Sequence, residues 1–215
     1  DEAQALVAHH AADGVDLLKT YTNVSVAAYG ALAAEASRRG LLVAGHLPVR
    51  VPLGMAIAAG QHSVEHPRVF LFECYRGAAG FRALPDPMAA YTADMRLRFI
   101  DEHDPVRCAE LMAAMAASDT WWTPTLQVLR MSALAGNREF REDPRRRYIP
   151  FILWAGLWQP DADRAVAHAR HASGRDVDAE LYRLARDNVR QAHEAGVRIV
   201  AGTDAGDTYV FPGFA

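Results

Sequence analysis

The sequence predicts an α/β fold in which helices and short strands alternate around a parallel sheet. Several helical stretches end at a glycine, namely Gly14, Gly40, Gly60 and Gly196, and a short run that we interpret as a strand follows each glycine. Each of these runs ends at or beside a polar residue. This alternation is typical of parallel sheets covered by helices. Five such strands fit either an open doubly wound sheet or most of a (β/α)8 barrel.

Length and composition indicate one domain with a sizeable core, since 51% of the 215 residues are hydrophobic. The formal net charge is −3, and the short basic run Arg145–Arg147 is too small to predict a nucleic-acid surface. No apolar run approaches the roughly 18 residues of a membrane span. Cys74 and Cys108 stand far apart, so we expect two buried or half-buried thiols rather than a disulfide.

The first part of the chain contains three helix–strand units. The helices predicted from apolar spacing cover residues 2–12, 25–39 and 52–59. The strands that follow them cover residues 15–19, 41–44 and 61–65. Ser25 is a candidate N-cap of the second helix and Gly40 its candidate C-cap.

The second part of the chain is less regular. The helices expected there cover residues 87–102, 104–117 and 178–195. The strands expected there cover residues 121–126 and 197–201. Between the strand at 121–126 and the helix at 178–195 we predict a long insertion over residues 127–176, with helical pieces around 144–157 and 161–172.

Four residues with the chemistry of a metal site stand at the ends of predicted strands: Lys19, His46, His66 and Asp204. Taken singly, each has an ordinary explanation as a solvated lysine, a structural histidine or a turn-forming aspartate. Taken together they indicate a site, because the carboxyl ends of parallel strands meet at one edge. Histidine nitrogen and carboxylate oxygen are ligands of Zn²⁺-like ions. A neutral lysine can also react with carbon dioxide to give a carbamate with carboxylate-like oxygens.

Strand alternation predicts where the side chains of two neighbouring residues lie. Tyr21 follows Lys19 by two residues, so it shares a strand face with Lys19 and is a candidate substrate-binding residue. Glu65 precedes His66 directly, so we expect it to point to the opposite side and to pack or support a ligand.

The motifs that carry these residues resemble the amidohydrolase superfamily, and most closely its imidazolonepropionase-like and Xaa-Pro-dipeptidase-like branch. They are GVDLLKTY, LVAGHLP, AAGQHSVEHP and VRIVAGTDAGDTYVFPGF, and they follow the family's order and spacing over residues 2–213. The resemblance implies an incomplete (β/α)8 TIM barrel of the metal-dependent hydrolase type, with about strands 4–8 present. Residues 1–215 would then be the C-terminal part of a single barrel domain.

The same resemblance assigns roles to the strand-end residues. It implies that Lys19 is carbamylated and bridges two metals, that His46 and His66 hold one of them, and that Asp204 holds the other and acts catalytically as the proton shuttle. It places WWTPTL at a strand that usually supplies no metal ligand. The implied cofactor is a divalent metal, Zn²⁺ above all, as one or two ions.

The function implied is hydrolysis of an amide C–N bond in a small-molecule substrate, such as a dipeptide or a cyclic amide. The sequence indicates no nucleic-acid partner and no membrane partner, and it leaves a homo-oligomer open. An alternative stays open as well. The family's strand 1 carries a His-x-His pair that this chain lacks, so the chain could be a catalytically incomplete fragment or a degenerate homologue that acts at most as a metal-binding domain.

Overall fold

The structure, a computed structural model, describes residues 2–169 and 171–213. Its architecture is α/β, as expected. The strands found in this described part are short: β1 (Leu17–Thr20), β2 (Leu42–Gly45), β3 (Ser63–Glu65) and β4 (Trp121–Thr123). None of the helices in the same residues is both long and apolar enough to cross a bilayer.

The strands pair in parallel as two small sheets. In the first sheet β1 pairs with β2, so that Leu17 lies opposite Leu42 and Thr20 opposite Gly45. In the second sheet β3 pairs with β4 over three residues on each strand. The two sheets meet edge to edge, because the amide of His62 donates to the Val43 carbonyl over 2.7 Å.

The predicted (β/α)8 TIM barrel with strands 4–8 is wrong. The described residues form two two-stranded parallel sheets and no closed barrel. The strand expected over residues 197–201 is reduced to a single bridge between Ile199 and Trp122. The alternation of helix and strand specifies that neighbouring strands run in parallel. It does not specify how many strands join, how long they are or whether a sheet closes, because long-range packing decides these.

The first part of the described chain contains seven helices. They are α1 (Glu2–Ala12), α2 (Val26–Arg38), α3 (Leu53–Ala58), α4 (Arg68–Glu73), α5 (Ala78–Arg82), α6 (Ala93–Asp101) and α7 (Pro105–Ala116). The predicted N-cap is confirmed, since the Ser25 hydroxyl accepts from the Ala28 amide. Gly40, just past the end of α2, has a φ of 68°, the left-handed conformation with which helices commonly end.

The expected insertion is almost entirely helical. Its elements are α8 (Gln127–Leu134), α9 (Arg138–Arg141), a 3₁₀ turn (Pro144–Tyr148), α10 (Phe151–Leu153), a π-helical turn (Trp154–Trp158) and α11 (Gln159–Ala169). The last helix, α12 (Val177–Glu194), matches its prediction to within one residue. Apolar spacing does not predict α4, because Val69 to Glu73 are all buried and the segment shows no helical alternation of apolar and polar residues.

The main core lies between the strands and helices α4, α7 and α12. Its centre is Trp122 on β4, which is fully buried and meets the ring of Phe70 edge-on at 4.7 Å. Val64 on β3 and Met115 on α7 close the same cluster. Because Val64 belongs to β3 and Trp122 to β4, this cluster fixes both strands against α4 and α7.

The two cysteines form a disulfide, so the prediction of two separate thiols is wrong. Cys74 at the end of α4 is bonded to Cys108 in α7, and both residues are fully buried. The amide of Asp104 donates to the Cys74 carbonyl over 2.8 Å and its carboxylate caps α7. Sequence spacing could not show this pair, because the packing of α4 on α7 brings together residues 34 positions apart.

Removing this disulfide tests the α4–α7 packing. We expect the double variant Cys74→Ser/Cys108→Ser to lose roughly 3 kcal/mol of unfolding free energy, because the cross-link restricts a long loop of the unfolded chain. Urea unfolding of the oxidised protein and the variant measures the loss. Alkylation of the unfolded, unreduced wild type should label neither cysteine, and labelling of both would contradict the pairing.

A glycine at the end of β2 gives a second test. Gly45 has a φ of 109°, and a Cβ there would lie 2.7 Å from the Thr20 carbonyl oxygen. We expect Gly45→Ala to destabilise the protein by about 2–4 kcal/mol, because strain and a backbone clash add. Gly40→Ala is the matched control, since its added Cβ meets nothing within 4 Å. Its cost should be roughly 1–2 kcal/mol, that of a left-handed conformation alone, and equal losses in urea unfolding would contradict the argument.

Candidate metal centre

The backbone brings two of the predicted site histidines together. His46 directly follows β2 and His66 directly follows β3. The amide of His46 donates to the Thr20 carbonyl over 3.1 Å, and that of His66 donates to the Thr123 carbonyl over 2.8 Å. Each histidine is thereby tied to the neighbouring strand, and the centroids of the two imidazole rings lie 4.3 Å apart.

Glu65 lies on the same side as His66, which corrects the expectation from strand alternation. His66 has a φ of 74°, in the left-handed region, so the extended backbone ends at Glu65 and the next side chain does not alternate. Such a residue costs about 1–3 kcal/mol and persists where its surroundings hold it. Here the indole Nε1 of Trp122 donates to the His66 carbonyl over 2.9 Å.

Glu65 and the two histidines converge on one point. Its Oε2 lies 3.8 Å from Nδ1 of His46 and 3.9 Å from Nε2 of His66. The three ligand atoms lie within 4.8 Å of one another. Both nitrogens are buried and have no hydrogen-bond partner. Two unsatisfied imidazole nitrogens facing a carboxylate are costly without a ligand, and together they fit a zinc-type cation.

The protonation state of the two histidines favours metal binding. Burial lowers the pKa of His46 to about 4, with the neighbouring His66 as the next contribution in the same direction. Burial also lowers the pKa of His66, although the Asp204 carboxylate opposes the shift. Both rings are therefore neutral near pH 7, and a neutral imidazole keeps the lone pair with which it binds a metal.

Thr125 orients the His66 ring and was missed in the sequence. Its Oγ1 lies 2.8 Å from Nδ1 of His66, so the other ring nitrogen, Nε2, is the one that faces Glu65. Outer hydrogen bonds of this kind set the orientation and basicity of a metal-binding histidine. Thr125 is β-branched and yet has a φ of 35°, an unusual conformation next to a site. The pattern WWTPTL carries no signal for this role.

Lys19, Asp204 and Tyr21 surround the cluster. The Lys19 ammonium lies 3.0 Å from Oε2 of Glu65. Oδ2 of Asp204 lies 3.7 Å from Nδ1 of His66, on the side of the ring away from Glu65. The Tyr21 ring lies 4.2 Å from that of His46. The structure thus places all five predicted site residues in one region, and their assigned roles stay predictions.

Asp204 reaches this position because its loop passes close to β4. A Cβ on Gly202 would lie 2.2 Å from Cγ2 of Thr123, so only glycine allows this approach. Asp204 itself has a φ of 57°. Its side chain is 47% exposed, so its carboxylate stands where the site opens to solvent.

A buried network of polar groups lies next to the strand ends that carry the site. The Thr20 hydroxyl donates to the His46 carbonyl over 2.8 Å. The Tyr29 hydroxyl donates to the side-chain oxygen of Gln61 over 2.8 Å, and the Gln61 amide donates to the Ser63 carbonyl over 2.9 Å. Burial raises the pKa of Tyr29 to about 12, so its hydroxyl stays a donor. The Gln61 amide also donates to the Gly45 carbonyl over 3.3 Å, so the network links the end of β2 to the start of β3.

A second group of possible ligand atoms, formed by Cys74, His103 and Cys108, has a different explanation. The two sulfur atoms are joined in the disulfide. Thiolate is the form that binds metal, so the oxidised pair offers no ligand and the group is structural.

The chain is similar to a solved structure, a bottromycin amidohydrolase, with a TM-score of 0.65 and 25% sequence identity over 97% of the chain. The chain spans 42% of the length of that protein. No family model matches the chain, and no curated protein matches it by sequence. The similarity supports an amidohydrolase-like fold. The similarity does not show that the chain belongs to the imidazolonepropionase-like or dipeptidase-like branch.

The cluster predicts which histidines matter for metal binding. We expect His46→Ala and His66→Ala each to weaken Co²⁺ or Zn²⁺ affinity by more than about 100-fold, since loss of a ligand exceeds the 10–100-fold cost of losing a supporting group. His62→Ala is the matched control, because His62 lies in the same segment and is exposed. Competition titration and the visible absorption of Co²⁺ measure the effect. Equal affinity in all three variants would contradict the site.

Proposed function

We propose that this chain carries the metal centre of a hydrolase that cleaves amide C–N bonds in small molecules. The observation that carries the proposal is the pair of buried, unpartnered nitrogens of His46 and His66 around the Glu65 carboxylate. The structural similarity to a bottromycin amidohydrolase supports the choice of bond. Dipeptides and cyclic amides are the substrate types that we would test first.

His46, Glu65 and His66 would hold a divalent cation, with Zn²⁺ as the first choice for two imidazoles and a carboxylate. When bound, the cation supplies Lewis acidity, which polarises an amide carbonyl and makes water more acidic. The protein residues supply the remaining contributions. Thr125 keeps the His66 ring in place, and the backbone bonds to β1 and β4 keep the two imidazoles at a constant separation.

Lys19 completes the proposed ligand set. Its ammonium is paired with Glu65, and the side chain is 58% exposed, so carbon dioxide can reach it. Loss of one proton from the ammonium, addition of carbon dioxide to the amine and loss of a second proton from the adduct would give a carbamate anion. Its oxygens would then stand beside Glu65, where a second cation would require a further anionic ligand.

Asp204 is the proposed proton carrier. It is half-exposed at the opening of the site and lies 3.7 Å from the His66 ring. From there its carboxylate would accept a proton from the attacking water and deliver it to the leaving amine, as general base and then general acid. Tyr21, which packs beside His46, would form one wall for the substrate.

Asp204→Asn separates proton transfer from metal binding. We expect amide hydrolysis to fall by about 10²–10⁴-fold, while Co²⁺ still binds at His46, Glu65 and His66. Amine release from a panel of dipeptides and cyclic amides measures hydrolysis. Asp119→Asn is the control, because that carboxylate is fully exposed and pairs only with Arg198 among the described residues.

Two outcomes would change the proposal. Full activity in Asp204→Asn would remove Asp204 from the mechanism. Tight metal binding by the wild type without hydrolysis of any amide would leave a metal-binding domain in place of an enzyme.

A further inference from the structure

A cleft opens directly beside the metal cluster. His46, Glu65 and His66 form part of its wall. Ligand clefts typically combine apolar walls with a few polar groups. A molecule held in this cleft would therefore touch the proposed metal ligands, which makes the cleft the natural place for the substrate.

The rest of the wall is mostly apolar. Val51, Val69 and Phe72 line it, and all three are buried. Val49 and Leu47 continue the same surface. This surface suits an apolar side chain of the substrate, because contact with it would remove apolar area from water on both partners.

Arg68 is the only lysine or arginine that lines the cleft. Within residues 2–169 and 171–213 no carboxylate pairs with it. The two carboxylates of the wall are already paired, Glu65 with Lys19 and Glu73 with Arg82. The guanidinium of Arg68 lies 5.9 Å from the centroid of the Tyr91 ring. That contact positions the guanidinium without neutralising its charge, since burial raises the pKa of Tyr91 and keeps the phenol neutral.

We propose that Arg68 binds a carboxylate of the substrate, so that this hydrolase acts on amides that carry a free carboxylate next to an apolar side chain. The proposal rests on the proposed function. A guanidinium presents paired N–H donors that match the two oxygens of a carboxylate. Peptide C-termini and N-acylated amino acids are the simplest molecules with this combination of amide, apolar group and carboxylate.

Binding of a probe pair tests the inference independently of catalysis. The acid N-acetyl-L-phenylalanine and its neutral primary amide differ only in the carboxylate. We expect the Co²⁺-loaded full chain to bind the acid at least about 10-fold more tightly than the amide, as a charge-assisted hydrogen-bond pair implies. Isothermal titration at fixed ionic strength measures both. Equal affinity for acid and amide would overturn the proposal.

Substitution of Arg68 assigns the preference to this side chain. Arg68→Met should remove the preference for the acid while the affinity for the neutral amide changes by less than about 3-fold. Arg68→Lys should restore part of it, because an ammonium keeps the charge without the paired donors. The matched control is Arg76→Met in the neighbouring turn, which is exposed and lies outside the cleft wall. A preference that survives in Arg68→Met would also overturn the proposal.

Kinetics distinguish a failure of this inference from a failure of the proposed function. With N-acylated amino acids as substrates, Arg68→Met should raise KM at least about 10-fold and leave kcat within a few-fold. Unchanged Co²⁺ affinity in Arg68→Met shows that the metal site is intact. If the wild type binds the acid through Arg68 and yet hydrolyses no amide, then the proposed function fails and the carboxylate site stands.

Discussion

The contact between the end of β2 and the end of β3 is the constraint on which the candidate site depends. A single parallel bridge joins His46 and Glu65, and the amide of His62 holds the same two segments together one step earlier. Because parallel strands place their carboxyl ends at one edge, this contact sets two imidazoles and a carboxylate around one point. Nothing in the local sequence of either strand provides that geometry alone.

The site contains backbone conformations that are unfavourable by themselves. His66, Thr125 and Asp204 all have positive φ without being glycine. At His66 the surroundings hold the conformation, because the Trp122 indole donates a hydrogen bond to the His66 carbonyl. The indole itself is fully buried in the core. Local strain of this kind is common at functional sites, where the fold over-determines the conformation. The aromatic core behind β4 therefore contributes to the geometry of the candidate site as well as to stability.

The charges of the site are distributed between two regions. Glu65 is paired with the Lys19 ammonium and faces the two neutral imidazoles, so its carboxylate is the anionic group beside the point where a cation would bind. Arg68 stands on the cleft wall beyond them as a cation without a carboxylate partner in the described chain. A substrate with one amide and one carboxylate would match both regions. Under the two proposals, this electrostatic pattern would orient such a substrate before any reaction.

Local signals in the sequence determined most of the helices, their caps and the residue types at the strand ends. This information lies within a few positions of sequence at Ser25, at Gly40 and in the apolar spacing of residues 178–195. It therefore predicts the helices without knowledge of their tertiary contacts. Lys19, His46, His66 and Asp204 were found in the same way. Only the tertiary structure decided that no closed barrel forms in the described residues, that Cys74 bonds to Cys108, and that Glu65 shares the side of His66. The physical reason is that these features depend on contacts between distant segments and on one left-handed residue, neither of which is encoded in a short window of sequence.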